Sequence, residues 1–113
     1  MAEKSSAIID DGLDNPSIRE KRKPVRAEVC LCKAWILEWI DKRKTINLKY
    51  TSYYLKHAVE AFSSTYVSNG AFIQAAMESG FNVKPVEVNS VNAYFNMSFK
   101  RFEKHRDEKG IPI

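Results

Sequence analysis

Cysteine, histidine, glycine and proline are all scarce in this chain, which holds two, two, four and four of them in 113 residues. Cys30 and Cys32 sit two apart in a helical pattern, so their side chains point to different faces and no intrachain disulfide is expected between them. They read as reduced, buried thiols of a cytosolic protein. No second cysteine pair completes a zinc site, so no metal is expected. Four glycines scattered singly cannot build a phosphate-cradling loop. His57 and His105 come without a placed carboxylate or nucleophile, and Ser63, Ser64 and Ser68 read as turn and cap residues, so an enzyme is not expected and no cofactor is implied. No apolar run approaches the length of about 18 residues that marks a membrane span. The start MAEKSSAIIDDG also lacks the apolar core of a signal peptide. The expectation is a cytoplasmic protein with no membrane partner.

What is present is enough for one modest core. Hydrophobic residues make up 44% and aromatics 12%, which argues for a folded chain rather than global disorder. Net charge is +4, and its distribution is uneven. Residues 1–14 carry −3, residues 15–50 carry +6 and residues 51–113 carry +1. Residues 1–18 read as a flexible leader, with at most one short docked piece around Ala7-Ile8-Ile9. Residues 19–110 read as a single domain approached through a basic segment, 19–26.

The stretch TSYYLKHAVEAFSSTYVSNGAFIQAAMESG, residues 51–80, organises the rest. It reads as two short helices joined by a polar turn. Thr51 or Ser52 caps the first, and Leu55, Ala58, Val59 and Phe62 form its apolar face. Ser68-Asn69 opens the second and Gly80 closes it, with Phe72, Ile73, Ala76 and Met77 inward. Upstream, Val25, Val29, Cys32, Ile36 and Trp39-Ile40 predict a helix over about 25–43. Leu31, Trp35 and Leu37 widen its apolar face, which suits either a central core helix or a second face for a partner subunit. Alternation over 44–50 predicts a short strand, with Ile46, Leu48 and Tyr50 on one side. Residues 81–88 favour extended structure, restricted by Pro85 to an edge or bulge. Residues 93–99 alternate as a strand but also fit a helix through Val91, Phe95, Phe99 and Phe102. Ser98 can cap a last helix, FKRFEKHRDEK. The fold class is therefore mostly α with a small β-sheet, in the order of a winged helix-turn-helix.

The words RKTINLKYTSYYLKHAVE, YVSNGAFIQAAMESGF and NAYFNMS resemble those of a set of small bacterial and mobile-element proteins. The resemblance covers about residues 42–98 and leaves out the leader and the last helix. It implies a bacterial or mobile-element setting and brings no assigned activity with it.

Two partners fit these features. The first is double-stranded DNA, bound by a regulatory protein acting as a homodimer. Basic clusters at 19–26 and 42–49, among them Arg22, Lys23, Arg26, Lys44 and Lys49, supply charge together with Lys56 and Lys84. Thr65 and Ser68 reach phosphates, and helix 69–79 or the 84–92 hairpin enters a groove, with Asn69 and Gln74 making amide contacts to adenine. Three features oppose it: helix 69–79 carries no Lys or Arg, its Glu78 would repel phosphate, and the turn before it exceeds the usual three or four residues or so. The second is a host protein, met by the aromatic surface of Trp35, Trp39, Tyr53, Tyr54, Tyr66, Tyr94 and Phe95. In that case the chain is an interaction module, such as a phage-like inhibitor or adaptor.

Overall fold

The structure, a computed structural model, describes residues 8–113. The helix α1 covers Arg26–Trp39 and buries Val29, Cys32, Trp35 and Ile36, the three- and four-residue spacing anticipated from the sequence. It stops short of residue 43. Ile40 turns to extended backbone (φ −118°, ψ 135°) and lies only 5% exposed, and Asp41 begins strand β3 (Asp41–Asn47). The corner is held from a distance, because the Arg101 guanidinium donates to the carbonyls of Glu38 and Ile40. The strand consequently starts three residues before its expected position at 44.

The two central helices follow their local signals. Helix α2 (Ser52–Ser63) is capped by Thr51, whose hydroxyl accepts from the Tyr54 N–H at 3.3 Å, and it fully buries Leu55, Ala58 and Val59. Helix α3 (Asn69–Glu78) is capped by Ser68, which accepts from the Ala71 N–H at 3.0 Å. Gly80 ends it at φ 89°, donating to the Met77 carbonyl. Strand β4 (Val83–Pro85) and strand β5 (Ala93–Ser98) complete an antiparallel sheet of order β3-β5-β4. Ala93, Phe95 and Met97 are fully buried, so period two decides residues 93–98 and the helical alternative is not adopted. Pro85 lies on the edge strand, opposite Ala93. Helix α4 (Lys100–Lys109) follows Phe99, not Ser98, as its cap, and Gly110 closes it at φ 65°.

One core joins these layers. Trp35 meets the edges of Phe102, Phe62 and Phe72 at ring centroid distances of 5.3, 5.7 and 6.1 Å, and Phe72 in turn meets Phe95 at 5.6 Å. Such edge contacts add specificity to simple burial. Cys32 belongs to this core, and burial pushes its thiol up to about 12. Cys30 differs from the expectation and is exposed, on the opposite side of α1.

The leader is not a free arm from residue 8 onward. Strands β1 (Ile8–Ile9) and β2 (Gly12–Leu13) pair with each other, and Ile8 and Ile9 are each 5% exposed. Asp10 N–H donates to the Arg22 carbonyl at 2.7 Å, Leu13 N–H to Val91 at 2.9 Å, and Gly70 N–H to Asp10 at 3.0 Å. The hairpin therefore sits on the N-terminal end of α3. Gly70 permits this approach: a Cβ there would lie 1.7 Å from the Ile9 carbonyl oxygen. The rest of the expected flexible leader, residues 1–7, lies outside the described residues.

Candidate nucleic-acid interface

The edge strand β3 is the centre of positive charge. Asp41 faces Ser98 and Lys42 faces Met97, but the next matched pair is Asn47 with Phe95, so β3 bulges over residues 43–46. Two asparagines hold the bulge. Asn96, 4% exposed, donates to the Arg43 carbonyl at 3.0 Å and accepts from the Asn82 N–H at 2.7 Å. Asn47 donates to the Met97 carbonyl at 2.9 Å. A buried side chain that bonds edge strand β3 and the residue just before edge strand β4 fixes their spacing, because leaving either group unpaired is costly.

The start of β3 and its bulge present Lys42, Arg43 and Lys44, all exposed. The Lys42 ammonium lies over the Phe81 ring at 5.5 Å, and Arg43 donates to Thr45 at 2.8 Å. Arg101 grips the Asp41 carboxylate with two bonds of 3.0 and 3.1 Å. This ties the first turn of α4 to the start of β3, so exposed Lys100 and Lys104 belong to the same region. Among the described residues, none of Lys42, Arg43, Lys44, Lys100 and Lys104 has a carboxylate within ion-pair distance.

The other expected contacts are placed differently. Lys23 and Lys84 are exposed, and Lys84 stands opposite Tyr94 on β4. Arg22 is exposed with a loose 3.7 Å pairing to Glu20. Arg26 is held by Glu78 in a two-pronged contact of 2.6 and 2.9 Å, and Lys33 joins the same carboxylate at 3.2 Å. The Arg26 bonds, assisted by Gln74 and Lys33, hold the Glu78 carboxyl down to about 2. Lys49 is paired with Glu103, whose oxygen also accepts from Tyr50 at 2.6 Å. Burial works to raise the Glu103 carboxyl, but these hydrogen bonds outweigh it and leave the group below its ordinary value. Thr65 is exposed, its hydroxyl donating to the Ser63 carbonyl at 3.2 Å.

Three expected contacts at α3, Ser68, Asn69 and Gln74, are engaged within the fold. Ser68, 2% exposed, is occupied as the helix cap. Asn69, 7% exposed, spends its amide N–H groups on Asp11 (2.9 Å), Asn92 (3.0 Å) and Val91 (3.1 Å). Gln74 is half-buried and donates to Glu78 at 2.8 Å. Helix α3 is thus a core helix whose N-terminal end is covered by the β1–β2 hairpin, and it offers no row of free side chains to a groove. Sequence reading did not single out Lys100 and Lys104. Their i, i+4 spacing in FKRFEK was the available signal.

A second cluster surrounds Lys56. This residue is 8% exposed, bonds Glu60 at 3.1 Å, and lies 4.9 Å from the Tyr66 ring centre and 5.6 Å from that of Tyr53. Glu60 also contacts His57 Nδ1 at 3.0 Å and accepts from the Val67 N–H at 3.3 Å. Burial raises the Glu60 carboxyl less than the Lys56 and Val67 bonds lower it, so it too lies below its ordinary value. Of the expected aromatic surface, Trp35 and Phe95 are core residues, Trp39, Tyr54 and Tyr94 are half-buried, and Tyr53 and Tyr66 are exposed.

Among the described residues no group of three or more His, Cys, Asp or Glu side chains is placed to hold a metal, and no helix is long and apolar enough to cross a membrane. The described chain is a small mixed α/β domain of four helices and a small antiparallel sheet, with a short docked hairpin. Comparison with protein-family profiles, with curated proteins and with solved structures returns no match.

Proposed function

We propose that the protein binds double-stranded DNA in a regulatory role, through the β3 edge and not through α3. The observation that carries this reading is the group of five exposed cations, Lys42, Arg43, Lys44, Lys100 and Lys104, without carboxylate partners among the described residues. Charges left unpaired at one edge are available to displace counterions from a phosphate backbone, whereas Arg26, Lys49 and Lys56 are already neutralised. The element order and the sheet order β3-β5-β4 also suit a winged helix, with the β4–β5 hairpin as the wing beside Lys84. Likeness of arrangement supports the reading and does not carry it. Two free thiols suit a reducing cytoplasm. The resemblance over residues 42–98 suits a protein of a mobile element or a bacterial chromosome.

Fluorescence-anisotropy titration with mixed-sequence duplex at two salt concentrations tests the proposal. Five phosphate contacts give a slope of log K against log salt of about −4.5, and Lys42→Gln, Lys44→Gln or Lys104→Gln each reduce it by about one. Absence of binding at low salt refutes the reading. One observation then favours a protein partner instead: Tyr53 and Tyr66, 53% and 62% exposed, flank the caged Lys56 as a compact aromatic surface.

A further inference from the structure

We infer that the outer face of α1 is a self-association surface on which a second copy of this chain lies antiparallel. Ala27, Cys30, Leu31, Ala34 and Leu37 recur at three- and four-residue spacing on the side of α1 opposite Val29, Cys32 and Ile36. Ala27, Cys30 and Ala34 are exposed, Leu31 is half-buried, and Leu37 is 83% exposed. A solvent-facing helix side needs no such apolar row. Small residues in its middle let a second helix approach closely, and leucines at 31 and 37 supply the apolar contact.

Charge selects both the occupant and its direction. The C-terminal end of the row carries Glu38, whose carboxylate has no cation within ion-pair distance among the described residues. The N-terminal end follows Lys23 by three residues, a cation also without such a partner, and its first turn has no side-chain cap. The Glu28 carboxylate of that turn faces away from the row and accepts from the Ser68 N–H at 2.9 Å. Arg26 in that turn and Lys33 at mid-helix share the single carboxylate of Glu78, which leaves the N-terminal half one charge positive. An antiparallel copy brings Glu38 of one chain to the positive first turn of the other, twice per dimer, and opposes the two helix dipoles. A parallel copy sets Glu38 against Glu38. The row is symmetric about its own midpoint near residue 32, so Ala27 meets Leu37 and Cys30 meets Ala34 of the second copy. A helix of 14 residues is about 21 Å long, and its face falls short of the roughly 800 Å² per partner of a standard interface. The dimer is therefore reversible and concentration-dependent.

This inference is independent of the DNA reading, and its test needs no DNA. Sedimentation equilibrium across a roughly hundredfold concentration range reads the dimer directly. The wild-type chain is expected to shift from monomer to dimer, and Leu37→Glu, at a residue too exposed to disturb folding, is expected to raise the dissociation constant at least about tenfold. Ala34→Cys adds the geometric test. Facing positions at a close helix pair lie within disulfide reach, about 4.4–6.8 Å between Cα atoms, whereas positions 30 and 30 or 34 and 34 of the two copies are offset along the axis. Oxidised Ala34→Cys is expected to give a covalent dimer whose peptide map links Cys30 of one copy to the introduced thiol of the other, and Leu37→Glu in that background abolishes it. A wild-type chain monomeric at every concentration overturns the inference. So does a dimer indifferent to Leu37→Glu, or a map that links position 34 to position 34.

Discussion

Gly70→Ala sets two physical effects of opposite sign against each other. Helix propensity alone favours alanine inside α3 by up to about 1 kcal/mol. Packing opposes it, because the new Cβ would lie 1.7 Å from the Ile9 carbonyl oxygen, a backbone atom that cannot swing aside. The β1–β2 hairpin must then move by more than 1 Å or so to restore ordinary van der Waals separation. Moving it breaks the Gly70-to-Asp10, Asn69-to-Asp11, Asp10-to-Arg22 and Leu13-to-Val91 bonds, each contributing about 0.5–1.5 kcal/mol. It also returns Ile8 and Ile9 toward water, at about 1.5–3 kcal/mol each as an upper figure. The released segment regains backbone entropy of about 1 kcal/mol per residue, which offsets much of that loss. The net expectation is a destabilisation of about 2 kcal/mol, with the hairpin undocked and the rest of the domain folded. Urea denaturation should show a midpoint lowered by about 1 M. Hydrogen exchange should show the amides of Asp10 and Leu13, both bonded in the docked state, losing protection before those of α2. A midpoint equal to or above that of wild type, with both amides still protected, would refute the reasoning and return Gly70 to an ordinary helix position.

Glu78 contributes a pH-dependent part of the stability. Its folded-state carboxyl, near 2, lies below the ordinary 4.5, so the contribution is present above about 4.5 and is lost as pH falls through about 2. Because the bonds to Arg26 and Lys33 are partly solvated, Glu78→Gln is expected to cost only about 1 kcal/mol at neutral pH and to flatten the acid limb of the stability curve measured by urea titration. Asn96→Ala leaves the Arg43 carbonyl and the Asn82 N–H without their partner, for a loss of about 2 kcal/mol by chemical denaturation. The same variant is expected to weaken duplex binding if the β3 bulge presents the contacts, and unchanged affinity would separate the bulge from the interface. A chromogenic thiol reagent should count one reactive cysteine in the native protein and two after denaturation, since Cys30 is exposed while Cys32 is buried with its thiol held near 12. Two fast-reacting thiols in the native state would contradict the placement of Cys32.

What the sequence determined by itself was local. The Thr51 and Ser68 caps, the Gly80 stop, the apolar row of α1 and the alternation of residues 93–98 each rest on atoms within a few residues of one another, and each is found in the fold. The basic cluster over 42–49 was legible as composition, but Lys42 and Arg43 were expected at the end of the 25–43 helix and instead belong to the edge strand β3. Tertiary structure decided the rest. Arg101, from the far end of the chain, fixes where α1 ends and β3 begins. The 8–13 hairpin turns α3 from an open helix into a core one and consumes the amide of Asn69. Glu78, Glu103 and Glu60 neutralise Arg26, Lys49 and Lys56 across separations that a linear pattern shows only for the i, i+4 pair. A side chain's freedom to meet a partner is what remains after such long-range pairings, and those pairings depend on which distant backbones the core brings together.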